Sequence, residues 1–477
     1  MKDFGKIGDL FLIVSGLLIA FGLFEAIVGW CQILGFTPSL HLLYPATGTF
    51  YNPGPYGCFL ALVTPLALYN TILCKKSFFH WEGIIYLIVA LSVMPVLMSR
   101  TGWIAAAVGM LVTAIGTGHI KKPNIKILLL TSVTIVVVAV LMYRLKPASA
   151  LGRLFLWKTG VSALGIEPLK GVGWAYVPGA LGLSQESYFS ANPDSVFIAV
   201  AGSPEYAFNE IFQIGIAFGI PVLIFFIALL IITTVGAWKG RQYGITGSIV
   251  ALIIVCLASY PFQFTEFLIF SGLLLLTGIC SIPNNIVHSC YKLILVITIS
   301  VLTIAAITLT EKRESFNREW SANKYAYQYG LTENNIQSLD SLVKTNSNSS
   351  KMLFDYGKAL RESGHYEKST EVLQKGLSVS SDPMFLNLIG RNYQDIGQKD
   401  MAEKYYHRSI SRLPERMYPY YLLGKLYADS IHGDSLKFIQ IYEKVMTMDP
   451  KVMSPAIEEM RKELQDIYNS QKSRRYD

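Results

Sequence analysis

Residues 10–33 read LFLIVSGLLIAFGLFEAIVGWCQI, with Glu25 the one charged side chain in the run. A helix needs roughly 20 apolar residues to cross the hydrocarbon layer. The run meets that length and exceeds the 7–15 apolar residues of a signal-peptide core. No small-residue cleavage site follows it, so it reads as a retained membrane span. Outward from it, similar runs recur at Pro55–Leu73, Gly83–Leu97, Gly102–Ile115, Ile127–Tyr143, Ile211–Val235, Gly244–Ser259, Glu266–Cys280 and Tyr291–Leu309, about nine in all. Of the 477 residues, 52% are apolar and 16% charged, against about 25% charged in soluble domains. A mean hydropathy of +0.39 points the same way and argues against a soluble enzyme. The expected fold is all-α: a polytopic helical membrane bundle of about nine spans, followed by a soluble helical-repeat domain.

Lys and Arg in short loops set the orientation. Lys2 and Lys6, Lys75 and Lys76, Lys121, Lys122 and Lys126, and Lys239 with Arg241 fall on one side if the spans alternate. That side is cytoplasmic by the positive-inside rule. The N-terminus is then cytoplasmic and the C-terminal domain outside. The outer face receives Gly35–Gly54, the turn at Ser99–Thr101, the long loop Arg144–Glu210 and the turn Tyr260–Thr265. Cys31, Cys58, Cys74, Cys256, Cys280 and Cys290 lie in or beside apolar runs. Their spacing fits no zinc pattern, so they read as packing residues, and no metal site is expected.

The domain layout expected is 1–310 for the membrane part with its outer loop at 144–210, 311–350 for a linker or degenerate repeat, and 351–477 for the repeats. Gly357, Gly390 and Gly424 are 33 and 34 residues apart, close to the tetratricopeptide period of about 34. In the second unit, Leu386, Ile389, Tyr393, Ala402, Tyr406 and Pro414 match the repeat pattern. In the third, Tyr420, Gly424, Tyr427, Tyr442 and Pro450 survive a two-residue insertion near His432–Gly433. The first is weaker, with Ser369 in place of the usual Ala. One helix pair cannot bury its apolar face alone, so such units stack. Arg318–Thr345, with Trp320 and Tyr327, reads as a degenerate unit or cap. The tail is either a docking groove for a partner peptide or glycan, or a spacer.

Four patches on the outer face carry candidate chemistry. Gly48–Gly54 holds Asn52 in a turn ahead of a span; a plain connector is the alternative. Ser99–Trp103 holds Arg100 at a helix end, where an ionisable residue at membrane depth signals function by default and snorkelling is the simpler account. Gly152–Lys158 and Pro168–Gly173 hold Arg153, Lys158 and Lys170, which either anchor a short amphipathic helix (150–164) on lipid or converge with Arg100 on an anion. Arginine suits phosphate because its planar fork donates in pairs. Glu205–Glu210 holds Glu205, Tyr206, Asn209 and Glu210; capping by Asn209 is its simpler reading.

Together, Gly48–Gly54, Ser99–Trp103, Gly152–Trp157, Pro168–Gly173 and Phe208–Asn209 with Gln213 resemble the O-antigen ligase and polymerase superfamily, which includes protein O-oligosaccharyltransferases. The resemblance covers roughly Leu10 to Cys280, in the family's order, and some members carry a tetratricopeptide tail. It implies a metal-independent inverting glycosyl transfer in a bacterial inner membrane, with no cofactor. The donor would be a glycan on a polyprenyl diphosphate. The acceptor would be a hydroxyl of lipid A–core, of a growing glycan or of a protein. Membrane lipids and a protein at the repeats are the other partners implied, and no nucleic acid. Arg100, Arg153, Asn209 and Glu210 would be catalytic; Asn52, Lys158, Lys170, Glu205 and Tyr206 would bind substrate. A lipid diphosphate leaves as a stable anion and needs charge stabilisation more than a proton, which suits the arginines.

Two departures stand out. Many relatives have His-Asn where this chain has Phe208-Asn209, which leaves the acceptor's base to Glu210 or Glu205. Relatives also carry extra spans ahead of the region matching Leu10, so this is a short form or its start is internal. The alternatives are a polymerase that lengthens the glycan on its carrier and, of another class, a transporter or a non-catalytic scaffold. Transport favours ionisable residues near the midplane, and Glu25 is the main one; it reads better as a packed carboxylate.

Overall fold

The computed structural model describes residues 2–120, 147–283, 289–327, 333–345, 348–429, 435–450 and 453–473. The span expected at Ile127–Tyr143, the cations Lys121, Lys122, Lys126 and Arg144, and the insertion near His432–Gly433 lie outside the described residues. Every described element is helical. Helices α1 to α4 are Lys2–Ile33, Pro53–Leu73, Phe78–Leu97 and Arg100–Gly116. Two follow within residues 144–210, α5 (Pro147–Leu164) and α6 (Val177–Ala191). Then come α7 (Glu210–Lys239), α8 (Tyr243–Ala258), α9 (Thr265–Cys280) and α10 (Ser289–Tyr327). The tail holds α11 (Glu333–Thr345), α12 (Ser350–Glu362), α13 (Tyr366–Val379), α14 (Met384–Asp395), α15 (Lys399–Arg412), α16 (Met417–Ala428), α17 (Ser435–Thr447) and α18 (Pro455–Ser473).

Contacts divide the chain into two compact units. The first holds the described residues up to 120, Phe208–Ile211 and Pro221–Glu314. The second holds Pro147–Ala207, Phe212–Ile220 and the chain from Ser315 onward. Residues 147–207, grouped with the membrane spans on sequence, therefore group with the repeats by contact.

In the first unit, α1, α2, α3, α7 and α10 carry runs long and apolar enough to cross a membrane, and α4, α8 and α9 are shorter apolar helices. Eight of the expected spans thus coincide with helices. Caps start them: Asn52 accepts from Gly54 N at 2.8 Å, and Ser99 from Gly102 N at 3.3 Å. The core runs along α2, where Tyr56, Phe59, Leu60, Leu62 and Val63 are fully buried. Phe59 meets the edges of Phe21, Phe267 and Phe270, and such pairs add to plain area burial. Helices α2 and α4 touch backbone to backbone, since a Cβ on Gly102 would lie 2.6 Å from the Gly57 carbonyl oxygen. By contrast Leu293, Ile297, Val301 and Ile304 of α10 are exposed, an apolar surface suited to lipid.

The span expected as continuous at Ile211–Val235 is broken. Gly219 has φ 83° and ψ 170°, inside α7 and two residues before Pro221. That region of backbone space is open essentially to glycine alone. The break frees carbonyls, and the segment 168–173 closes on them. Val172 N donates to Ile216 O at 2.8 Å, Gly173 N to Ala217 O at 2.9 Å, and Ile220 N to Pro168 O at 2.8 Å. Gly171 allows this approach, as a Cβ there would sit 2.3 Å from Ala217 O. Buried backbone groups must be paired, so the clasp is what makes the break tolerable. Gly219→Ala is expected to destabilise this clasp by about 1–3 kcal/mol from backbone strain alone, with a clash against Leu169 O added. Gly202→Ala, facing open space, is the control. Hydrogen exchange at Val172 and Gly173 reads the result; equal protection in both variants would refute the account.

In the second unit, α12–α13 and α14–α15 are helical hairpins, followed by α16, α17 and α18. Gly390 faces Tyr406 and Gly357 faces Leu373 across their hairpins, each too close for a side chain. Ser369 at the small-residue position is fully buried and satisfied: its hydroxyl donates to Gly357 O at 2.6 Å and accepts from Asn392 Nδ2 at 2.8 Å. Helix α11 caps the stack, with Ile336, Leu339 and Val343 in one core with Met352, Leu353 and Tyr356. Among α12, α14, α16 and α18 lies a cavity of about 490 Å³ whose lining includes Arg361, Arg391, Tyr418, Tyr421, Lys425 and Glu463.

Three carboxylates of this unit are held below their ordinary range. For Asp340 burial acts upward, but hydrogen bonds from Lys368 and Tyr356 outweigh it. For Glu403 burial is likewise outweighed, by Tyr427 and Lys437. For Glu463 the Lys425 hydrogen bond dominates. Groups with a depressed folded pKa contribute stability that is present above the unfolded value, about 4, and lost as pH falls through the folded one. Thermal melting of the full chain in detergent should therefore be flat near neutral pH and drop below about pH 4. Asp340→Asn should shrink that drop; an unchanged acid limb would count against the assignment.

Candidate active site

Helix α1 shapes the first patch. Glu25, 1% exposed, takes the Thr49 hydroxyl on Oε1 at 3.0 Å and the Thr49 amide on Oε2 at 3.3 Å. Gln32 Oε1 accepts from Thr47 N and Gly48 N at 2.8 and 2.9 Å, and Tyr56 OH donates to Glu25 O at 2.8 Å. Glu25 is thus a packed carboxylate that folds the loop before α2. Its place in an otherwise apolar run was the one sequence signal for this; Gln32 carried none.

The second patch meets the first through Ser99. Its hydroxyl donates to Gly54 O at 3.0 Å while capping α4. Arg100 is the first residue of α4 and half-buried. A helix N-terminus carries positive partial charge, so a cation there does nothing for the helix. The pairing of the two instead concentrates positive potential suited to an anion. Trp103 Nε1 donates to Met94 O at 3.0 Å and fixes the α3–α4 turn, where Met98 has φ 48°.

Phe208, Asn209 and Glu210 join the same unit through aromatic rings. Phe208 lies edge-on to Tyr260 at 4.8 Å, and Tyr260 lies 5.8 Å from Phe264. Phe264 is 5.6 Å from Phe50, which reaches Phe59 at 5.1 Å. Phe50 therefore connects the loop of Asn52 to the turn facing Phe208. Tyr260-Pro261-Phe262, whose role was not derivable from sequence, is the hinge of this chain of rings. Asn209 accepts from Ile211 N at 2.9 Å, so its capping reading is realised. Glu210 is fully buried; its Oε1 accepts from Phe262 N at 3.0 Å and its Oε2 has no hydrogen-bond partner among the described residues.

The remaining candidates belong to the second unit. Arg153 is half-buried on α5, while Lys158 and Lys170 are exposed. The Lys158 ammonium sits 4.7 Å over the Tyr188 ring and 5.9 Å from Phe197. Helix α5 packs one face inward, with Phe155 buried against Tyr188, Phe189 and Phe197. Lys170 rides on the clasp that closes the α7 break. Glu205 is exposed and Tyr206 half-buried; between them and α7, Ala207 N donates to Gln213 Oε1 at 3.0 Å. The family-like string at 208–213 is thus partly a structural latch. Among the described residues, no three His, Cys, Asp or Glu side chains gather as a metal site.

Asn52, Arg100, Asn209 and Glu210 thus share the first unit, and Arg153, Lys158, Lys170, Glu205 and Tyr206 the second. No curated protein matches the chain. Residues 84–227, which include every one of these candidates except Asn52, match the family model described as O-antigen ligase. Residues 385–415, the α14–α15 hairpin, match a tetratricopeptide repeat. The first match supports a ligase- or polymerase-like glycosyl-transfer function. Residues 84–227 are thus similar to the O-antigen ligase family and residues 385–415 to a tetratricopeptide repeat, in a chain that has five helices long and apolar enough to cross a membrane among its described residues.

Proposed function

We propose that the protein transfers a glycan from a polyprenyl-diphosphate carrier to an acceptor hydroxyl at the outer face of a bacterial inner membrane. The observation that carries the reading is the meeting of three candidate patches in one unit: the Asn52 loop, the Ser99–Arg100 helix start and the Phe208–Glu210 segment. Arg100 is the proposed diphosphate ligand of the first unit and Arg153 that of the second. The acceptor oxygen attacks the anomeric carbon from the opposite face. A new carbon–oxygen bond forms as the bond to the diphosphate breaks, its electron pair leaving on phosphate. The acceptor proton passes to Glu210, whose unpaired Oε2 takes the role that histidine has in many relatives.

The guanidinium groups supply charge stabilisation where it develops, and a low-dielectric site strengthens it. Positioning of donor and acceptor supplies much of the rest. Asn52 in the first unit, and Lys158, Lys170, Glu205 and Tyr206 in the second, are the proposed substrate-binding residues. The repeat cavity, with two arginines, a lysine and paired tyrosines, suits an extended polar partner such as an acceptor protein.

Product analysis tests the reading. Purified protein is given a polyprenyl-diphosphate glycan with candidate acceptors. Glycan on lipid A–core or on a protein is the expected product. A lengthened lipid-linked glycan would make the protein a polymerase, and no transfer at all would return it to the scaffold class.

A further inference from the structure

The outer loop is built into the tail. Glu186 of α6 accepts from Arg408 Nε at 2.6 Å and from Arg412 Nη2 at 2.8 Å, both at the end of α15. Arg412 is 2% exposed. Burial pushes its guanidinium pKa down, and Glu186 opposes that fall. Gln185 Nε2 adds bonds to Arg412 O at 2.6 Å and Gly202 O at 3.0 Å, and Ser381 Oγ donates to Pro204 O at 2.8 Å. Helix α6 also lies against the end of α13: a Cβ on Gly179 would meet Ser378 O at 2.1 Å. Most telling is the shared core. Leu413, the residue after α15, is buried in one cluster with Phe155, Phe189 and Ala201. Phe155 stands two residues from Arg153 on the same helix.

We propose that the end of α15 is the mount for Arg153: Glu186, Arg412 and Leu413 are positioning residues that hold the outer loop's arginine where it meets the diphosphate. The proposal rests on the reading that Arg153 contacts that diphosphate. Its physical ground is that functional loops need a rigid support to keep their geometry. Here a buried ion pair provides orientation, the use for which such pairs are better suited than for net stability. The tail then serves transfer directly, beside any partner it docks.

The test is a double-mutant cycle read by binding of farnesyl diphosphate to the full chain in detergent. Arg153→Ala should weaken binding roughly tenfold, as expected for loss of one charge-assisted hydrogen bond. Glu186→Met should weaken it by a similar factor in the parent and have no further effect in the Arg153→Ala background, the signature of action through one residue. Glu186→Met with Arg408→Met and Arg412→Met replaces the whole ionic cluster by apolar side chains and should restore most of the binding. If Glu186→Met does not fold, Glu186→Gln serves the same arm. Independent, additive losses, or no loss from either Glu186 variant, would overturn the mount. No loss from Arg153→Ala would instead overturn the diphosphate reading beneath it.

Discussion

Arg100→Ala is expected to cut glycan transfer by about 10²–10³-fold, the usual effect of removing one preorganised group that stabilises developing negative charge. The protein should stay in the membrane at the parent level. Arg100 opens α4, and the helix is capped by Ser99 rather than by the arginine. Alanine is also the better helix former, and a cation at a helix N-terminus opposes the dipole. Stability should therefore hold or rise slightly while activity collapses. Arg100→Lys keeps the charge but loses the planar fork, so partial activity is expected. The measurement is transfer rate per folded protein, with melting temperature alongside. Parent-like transfer by Arg100→Ala would remove the arginine from the chemistry, and a parallel loss of folded protein would mark it as structural.

The second large effect is expected at Glu210. Replacing a general base typically costs about 10²–10⁴-fold, and Glu210→Gln should fall in that range. Glutamine retains a carbonyl oxygen that accepts from Phe262 N, as Glu210 Oε1 does at 3.0 Å. The turn at Tyr260–Phe264 should therefore keep its shape, and what is lost is the basic Oε2. Glu210→Ala removes both functions and should also loosen the turn. The pair of variants separates two roles. Loss in both assigns chemistry, whereas full activity in Glu210→Gln with loss only in Glu210→Ala would make Glu210 a brace for the turn and leave the base elsewhere. Glu205 is exposed, so Glu205→Gln is the companion variant.

These expectations depend on different depths of reading. Apolar run length places a helix in the membrane because lipid offers no partner for backbone N–H and C=O, and a helix satisfies them internally. That requirement is local, so Leu10–Ile33, Pro55–Leu73 and their kin were legible residue by residue. So was the 33- to 34-residue spacing of Gly357, Gly390 and Gly424, because the first two sit where the two helices of a hairpin touch and the third sits against Leu464 of α18. The strings around Arg100, Arg153 and Asn209 were legible as a resemblance, and the match over residues 84–227 agrees with it.

Other features are set by residues far apart in the chain, and nothing local announces them. Gly219 and Pro221 signal a break, but the uniformly apolar run around them hides it, and only segment 168–173 supplies the bonds that make it stable. Asn209 reads more simply as a cap than as a ligand, and Ile211 N on its side chain realises the cap. Glu186 looks like an ordinary loop carboxylate until Arg408 and Arg412 arrive from more than two hundred residues later. The sequence by itself determined which segments must leave water, since transfer energy depends on each side chain's own surface. The tertiary structure alone decided which polar groups satisfy one another, since pairing a buried donor or charge depends on partners that only the fold brings within reach.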